Sequence, residues 1–314
     1  MRMGKSLFYT IVVVAMLGCL SGCNFGFKTN YIYQNGEKYT AGNREIAEKI
    51  ETIDLDYMSG HVKLIGTDAN VVTINETSEK QLDDKRKVHT WVDGTTLYVR
   101  YCASAKGLDL NNLKKNLEIT IPKEVALGDV KFKVSSGGVQ CEDFEADSVN
   151  LYASSGNIAL TCAAKTVDLH ASSGNITAIL QDDSDSVKLD TSSGSISIDM
   201  KNANKVDLHS SSGKVWVFAK QIKELQSRVS SGTGEYHFSQ APEKSDISHS
   251  SGSVEIYLPK DSDLTGDFHT SSGKVFYELA FAKRDDDYVC GSGANQMKVH
   301  VSSGNIEVKA AEEK

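Results

Sequence analysis

Apolar and polar residues alternate in short runs through the second half of the chain, and Ser-Ser-Gly punctuates the runs. The glycines of this tripeptide are Gly137, Gly156, Gly174, Gly194, Gly213, Gly232, Gly252, Gly273 and Gly304, at intervals of 19, 18, 20, 19, 19, 20, 21 and 31 residues. Alignment on the glycine lines up further columns. Seven residues before it stand Val130, Val149, Val167, Val187 and Val206, and five before it stand Phe132, Leu151, Leu169, Leu189 and Leu208. Two residues after it come Val139, Ile158, Ile176, Ile196 and Val215, and four after it Cys141, Leu160, Ala178, Ile198 and Val217. Alternation with β-branched residues predicts half-buried strands. The apolar parity is odd before the glycine and even after it, which a straight strand cannot produce. Ser-Ser-Gly is therefore predicted to be a corner, with glycine supplying a backbone conformation that a side chain would penalise.

A strand, a corner and a second strand cannot bury their apolar side alone, but stacked copies can. Copies of one period place equivalent strands side by side and parallel. The prediction is an all-β, single-chain parallel β-solenoid with rungs of about 19–20 residues, coiled right-handedly by the usual crossover preference. The serial order of the copies predicts the same order of rungs in space. Residues 128–314 form this solenoid and residues 51–127 a less regular β-region or cap. Ile53 to Leu64, with Gly60 as its corner, reads as a worn rung. Val71–Ile74, Leu97–Val99 and Leu117–Ile121 supply more strands. A polar tether over 23–50 carries a short helical stretch at 44–49. The last interval contains an insertion at about 281–296, expected to be a loop or end cover.

Composition agrees with this reading. The chain has 314 residues, 25 glycines and only 3 prolines, as a ladder that needs its N–H groups would have. Its net charge of −8 disfavours a general nucleic-acid partner. Residues 1–22 read as a signal peptide: Arg2 and Lys5 precede an apolar run from Leu7 to Leu20, which ends in Leu20-Ser21-Gly22-Cys23. This end resembles a lipobox, so Cys23 is expected to be lipidated and to tether the chain to a membrane. Cys102, Cys141, Cys162 and Cys290 have neither zinc spacing nor a forced disulfide pattern.

Together the lipobox, the Ile53-to-Val62 entry and the Ser-Ser-Gly rungs resemble the bacterial "putative adhesin" family of Ser-Ser-Gly-repeat envelope lipoproteins, over roughly residues 53–309. The resemblance implies a parallel solenoid on the outer side of a cell membrane and brings no catalytic residues.

Candidate chemistry then falls to the outward columns. Nine equivalent serine corners cannot each own a histidine and an acid, so the serines are read as turn chemistry and hydroxyl ladders. Four residues before the glycine stand His170, His209, His269 and His300; His269 and His300 should be neighbours and are the candidate metal pair. Asp246 and Asp267 share a column and are a candidate calcium site, as are Asp182-Asp183-Ser184-Asp185 and Asp261-Ser262-Asp263. Trp216 and Phe218 on one rung, Tyr257 and Phe276 on two others, take outward positions within a span of four rungs expected to be adjacent. They are either a binding face or surface covered by the insertion or by the chain end. The functional expectation is a non-enzymatic binding or adhesion surface in the bacterial envelope. Its expected partner is an envelope glycan or a membrane protein, and no cofactor is required. An envelope-signalling scaffold or sensor is the alternative, and a polysaccharide-active enzyme stands behind both.

Overall fold

The computed structural model describes residues 29–110 and 113–311. A column of glycine corners runs the length of the molecule. The corners stack in the order Gly60, Gly137, Gly156, Gly174, Gly194, Gly213, Gly232, Gly252, Gly304, Gly273; each from Gly137 onward faces the backbone of the one before it, and Gly60 faces that of Lys115. Strands before the corner pair in parallel, in register, to form one sheet: Thr52–Ser59, then Leu127–Ser136, and onward to Leu264–Ser272. Strands after the corner form a second, starting with Val62–Thr67 beside the strand Val139–Ser155. The fold is an all-β parallel solenoid, as the period predicts.

The corner requires glycine for two separate reasons. Gly156 has φ 140°, a region L side chains avoid, and a Cβ there would lie 2.0 Å from the Gly137 carbonyl oxygen. Its N–H donates to Ser173 O at 2.9 Å, which locks one rung to the next. The hydroxyl ladder expected of the two corner serines lies elsewhere. Thr191, Ser210 and Thr270, three residues before their glycines, donate to Gly174 O, Gly194 O and Gly304 O of the adjacent corner at 3.0, 3.2 and 2.9 Å. Asn157 and Asn175, one residue after theirs, accept the next rung's N–H at 2.9 and 2.8 Å.

The aligned apolar columns form the core. Val149, Leu151 and Ala153, then Ile158, Leu160 and Cys162, are all 1% exposed or less. Each buried branched side chain contributes about 1.5–3 kcal/mol through apolar area removed from water. Similar side chains stacked at one strand spacing make each rung's apolar surface the packing partner of the next.

Both ends are sealed. At the first, antiparallel strands Val72–Ser78 and Arg44–Ile46 extend the second sheet, and His89–Asp93 folds back on Thr96–Arg100 at the edge of the first. The helix expected at 44–49 is therefore an edge strand over Arg44–Ile46, because Ile46 (1% exposed) and Ile50 (4%) are drawn into the core. For the same reason the described part of 23–50 is not a loose tether. Thr29–Tyr31 pairs with Ala105–Leu108, and the Tyr33 N–H donates to Ser104 Oγ.

The end cap also encloses an ion pair with no signal in the sequence pattern. Lys115 Nζ lies 2.7 Å from Glu76 Oε1, donates to the carbonyls of Arg86 and Tyr101, and sits 4.0 Å from the centre of the Tyr101 ring. The Tyr57 hydroxyl and the Val88 N–H donate to the same glutamate at 3.0 and 2.8 Å. Burial pushes the Lys115 ammonium below its ordinary pKa, against the pull of Glu76.

At the other end the serial order of the rungs fails. The strand Asn295–Ser303 pairs with Lys244–Ser251 on one side and with Leu264–Ser272 on the other. Likewise Ile306–Ala310 separates Val254–Leu258 from Val275–Tyr277. The chain thus passes over one rung position, forms the Gly273 rung, and returns to fill the vacant place. The insertion between them is an end cover: Asp287–Cys290 pairs antiparallel with Leu264–Ser272, and Phe281 and Tyr288 pack on Phe268 at 5.7 and 5.3 Å.

Candidate binding face

The outward side of the second sheet carries a column of rings. Five residues after successive corners stand Phe218, His237 and Tyr257. Strict register brings Phe218 opposite His237 and His237 opposite Tyr257. Their planes are nearly parallel, 4.6 Å apart for Phe218 and His237 and 4.1 Å for His237 and Tyr257. Lys309, on the strand that fills the vacant place, continues the column and lies 5.4 Å from the Tyr257 ring. The neighbouring outward column holds Trp216, Glu235, Glu255 and Glu307. Glu235 anchors two rings at once, accepting from Trp216 Nε1 at 3.1 Å and approaching His237 Nε2 at 2.7 Å. Glu255 accepts from the Tyr257 hydroxyl and from Lys309 Nζ, at 2.9 and 2.8 Å. These contacts hold the Glu255 carboxyl below its ordinary pKa and raise the Lys309 ammonium.

The arrangement is braced by these contacts and open. The insertion covers the end of the core and not this face, and Phe218 stays 41% exposed. Three of the four aromatics expected there, Trp216, Phe218 and Tyr257, belong to one patch, and His237 joins them. Phe276 does not. The Gly304 rung lies between it and Tyr257, so its strand neighbour is Glu307. Mutual stacking also uses most of the ring faces. The column presents ring edges bordered by acids, and within it the end face of Phe218, toward Asp199, is the one with no ring or cation over it among the described residues.

The other candidates resolve differently. His269 and His300 are neighbours, with ring centres 5.9 Å apart, and His300 Nε2 lies 3.4 Å from Asp267. No cluster of three or more metal-ligating side chains occurs among the described residues. Asp246 and Asp267 are not adjacent, because Lys298 on the inserted strand stands between them. Asp182, Asp183 and Asp185 brace the next rung through Lys201, Asn202 and Asn204 at 2.8–3.0 Å. Asp263 instead caps the turn at 292–294 through two backbone N–H groups and the Ser292 hydroxyl. Cys102, Cys141, Cys162 and Cys290 are buried free thiols. Cys23 and residues 1–22, expected from the sequence to be a signal peptide, lie outside the described residues.

His249 lies one position away from the outward histidine column. His249 is buried: its Nε2 lies 3.2 Å from the Tyr236 hydroxyl, which is 2.7 Å from Ser227 Oγ, and its Nδ1 lies 3.3 Å from Gly232 O. Gly234 makes room for it, since a Cβ there would lie 2.8 Å from the imidazole. Its position three before Gly252 has inward parity, which is the signal that identifies it. Burial lowers its pKa to about 4.

The match to known families is decisive at the level of fold. Toastrack DUF4097 matches residues 50–309. The chain belongs to the Toastrack DUF4097 family. Several solved structures are similar to it, among them these three. A "putative adhesin" from Parabacteroides distasonis is 17% identical, with a TM-score of 0.49, and covers 89% of this chain and 100% of its own. One from Parabacteroides merdae is 15% identical with a TM-score of 0.49, over 89% and 99%. A "putative lipid binding protein" from Parabacteroides distasonis is 15% identical with a TM-score of 0.42, over 87% and 97%. No curated protein matches. Membership assigns this chain the Toastrack fold and no reaction.

Proposed function

We propose that this Toastrack chain is a non-enzymatic adhesion protein of the bacterial envelope, held to a membrane through lipidated Cys23, and that it docks a protein partner on its second sheet. The stacked Phe218–His237–Tyr257 column carries the reading. A flat sheet with immobilised rings loses little side-chain entropy on binding. Ring edges bordered by Glu235, Glu255 and Glu307 fit an apolar protein surface with basic residues, because most ring faces a sugar would stack on are already occupied. The lipid tether rests on the Leu20-Ser21-Gly22-Cys23 motif.

The test uses the chain from residue 24 onward, wild type and Phe218→Ala/Tyr257→Ala, in cell-adhesion and pull-down assays beside a glycan array. The double variant should lose adhesion and the captured protein while keeping its far-ultraviolet circular dichroism. Unchanged adhesion by the variant overturns the docking face, and release of depolymerised polysaccharide overturns the non-enzymatic reading. Metabolic labelling with a palmitate analogue should mark the full chain and not Cys23→Ala.

A further inference from the structure

The first sheet carries a different feature on its outward side near the N-terminal end, an open groove of about 430 Å³. This lies within the size range of small-molecule sites, about 300–1,000 Å³. Register sets the order of its floor: Asp56, Lys133, Tyr152 and His170 succeed one another across four strands, with Asn150 in the adjoining column. The segment at 31–33 rises beside it. The Tyr31 hydroxyl reaches Met58 Sδ, and the Tyr33 ring lies 5.9 Å from the Arg100 guanidinium.

Most charges around the groove are already neutralised. Arg100 pairs with Asp54 at 2.7 Å, Lys131 with Asp129 at 3.0 Å and Lys188 with Asp168 at 3.6 Å. Asp56 and Lys133, one of each sign, make no ion pair within 4 Å among the described residues. Asp56 is half-buried, and desolvation raises its pKa despite Lys133 and Arg100. The groove therefore selects neither an anion nor a cation by net charge. Tyr152 supplies the other element of recognition. One ring face stacks on His170 at 4.9 Å, and the opposite face turns toward the Lys133 strand with no cation over it among the described residues. A free aromatic face accepts the C–H face of a sugar ring. A carboxylate, an amide and an ammonium beside it satisfy ring hydroxyls as acceptors and donors.

We infer that this groove binds a pyranose unit of a neutral glycan, stacked on Tyr152 and hydrogen-bonded by Asp56, Asn150 and Lys133. The site is separate from the docking face on the second sheet, so the two succeed or fail independently. Titration calorimetry on the chain from residue 24 onward tests it with neutral tetrasaccharides of glucose, mannose, galactose and N-acetylglucosamine. A uronic acid tetramer and phosphocholine serve as charged controls. At least one neutral tetrasaccharide should bind saturably, weakened at least tenfold by Tyr152→Ala, several-fold by Asp56→Asn, and not by Phe218→Ala. Both groove residues point outward from the core, so the melting temperature of each variant should stay within a few degrees of wild type. Failure of all four neutral sugars to bind overturns the assignment. So does binding that survives Tyr152→Ala, or tighter binding of either charged control.

Discussion

At the residue scale, glycine at a corner answers to two constraints that different positions separate. Gly156 has both a left-handed φ and a backbone oxygen where its Cβ would go. Gly273 lies outside the left-handed region, yet a Cβ there would still meet Gly304 O at 2.0 Å. Gly156→Ala should cost about 3 kcal/mol or more in urea unfolding, and Gly273→Ala less, because it strains only the last rung. His249 gives a pH dependence of known sign. Its folded pKa, about 4, lies below the free value of 6.5, so the unfolded chain binds the proton more readily. Stability is full above pH 6.5 and falls as the pH drops toward 4, by about 3 kcal/mol at most. Urea midpoints at pH 7.5 and 4.5 should differ more for wild type than for His249→Phe. Equal differences would remove His249 as the cause.

At the element scale, the two end caps differ in chemistry. The C-terminal one is a cluster of rings around Phe268, Phe281 and Tyr288. The N-terminal one encloses the Lys115–Glu76 pair. Removing one member of a buried pair leaves the other charge unpaired, which costs about 3–5 kcal/mol, whereas apolar or neutral replacement of both can be nearly neutral. Lys115→Met should therefore destabilise the chain by about that amount, and Lys115→Met/Glu76→Gln should recover much of it. The unfolding midpoints of the two variants check this, and additive losses would count against it. The outward face is also an element-scale device: each ring is held by its own rung and by the next, so register and not any single strand builds it.

At the scale of the whole molecule, a rung contacts mainly its two neighbours, so stability sums over rungs and interfaces. Deleting residues 175–194 removes one full period and joins Gly174 to Ser195, with Val167 meeting Val206 and Leu169 meeting Leu208. This shortened chain should fold, with a β-rich circular dichroism spectrum and a single melting transition. Deleting 175–184 breaks the period and places outward residues in the core, so that chain should be insoluble or unfolded. The C-terminal rungs do not obey this serial rule, because the strand Asn295–Ser303 lies between rungs that precede it in the chain.

The sequence alone determined the corners, the inward columns and the parallel stacking. Each follows from a period repeated through the chain, and a stack of equal rungs has one register that buries all its apolar columns. It also placed Trp216, Phe218 and Tyr257 outward, since parity is a local property. Only the tertiary structure decided which rungs are neighbours. The vacant place filled by residues 295–310 put Lys309 beside Tyr257, Lys298 between Asp246 and Asp267, and Phe276 away from the other rings. Such neighbours depend on where a distant segment returns, and no local pattern encodes that. The Lys115–Glu76 pair and the groove above Asp56 arise in the same way, where the irregular N-terminal segments fold back on a regular stack.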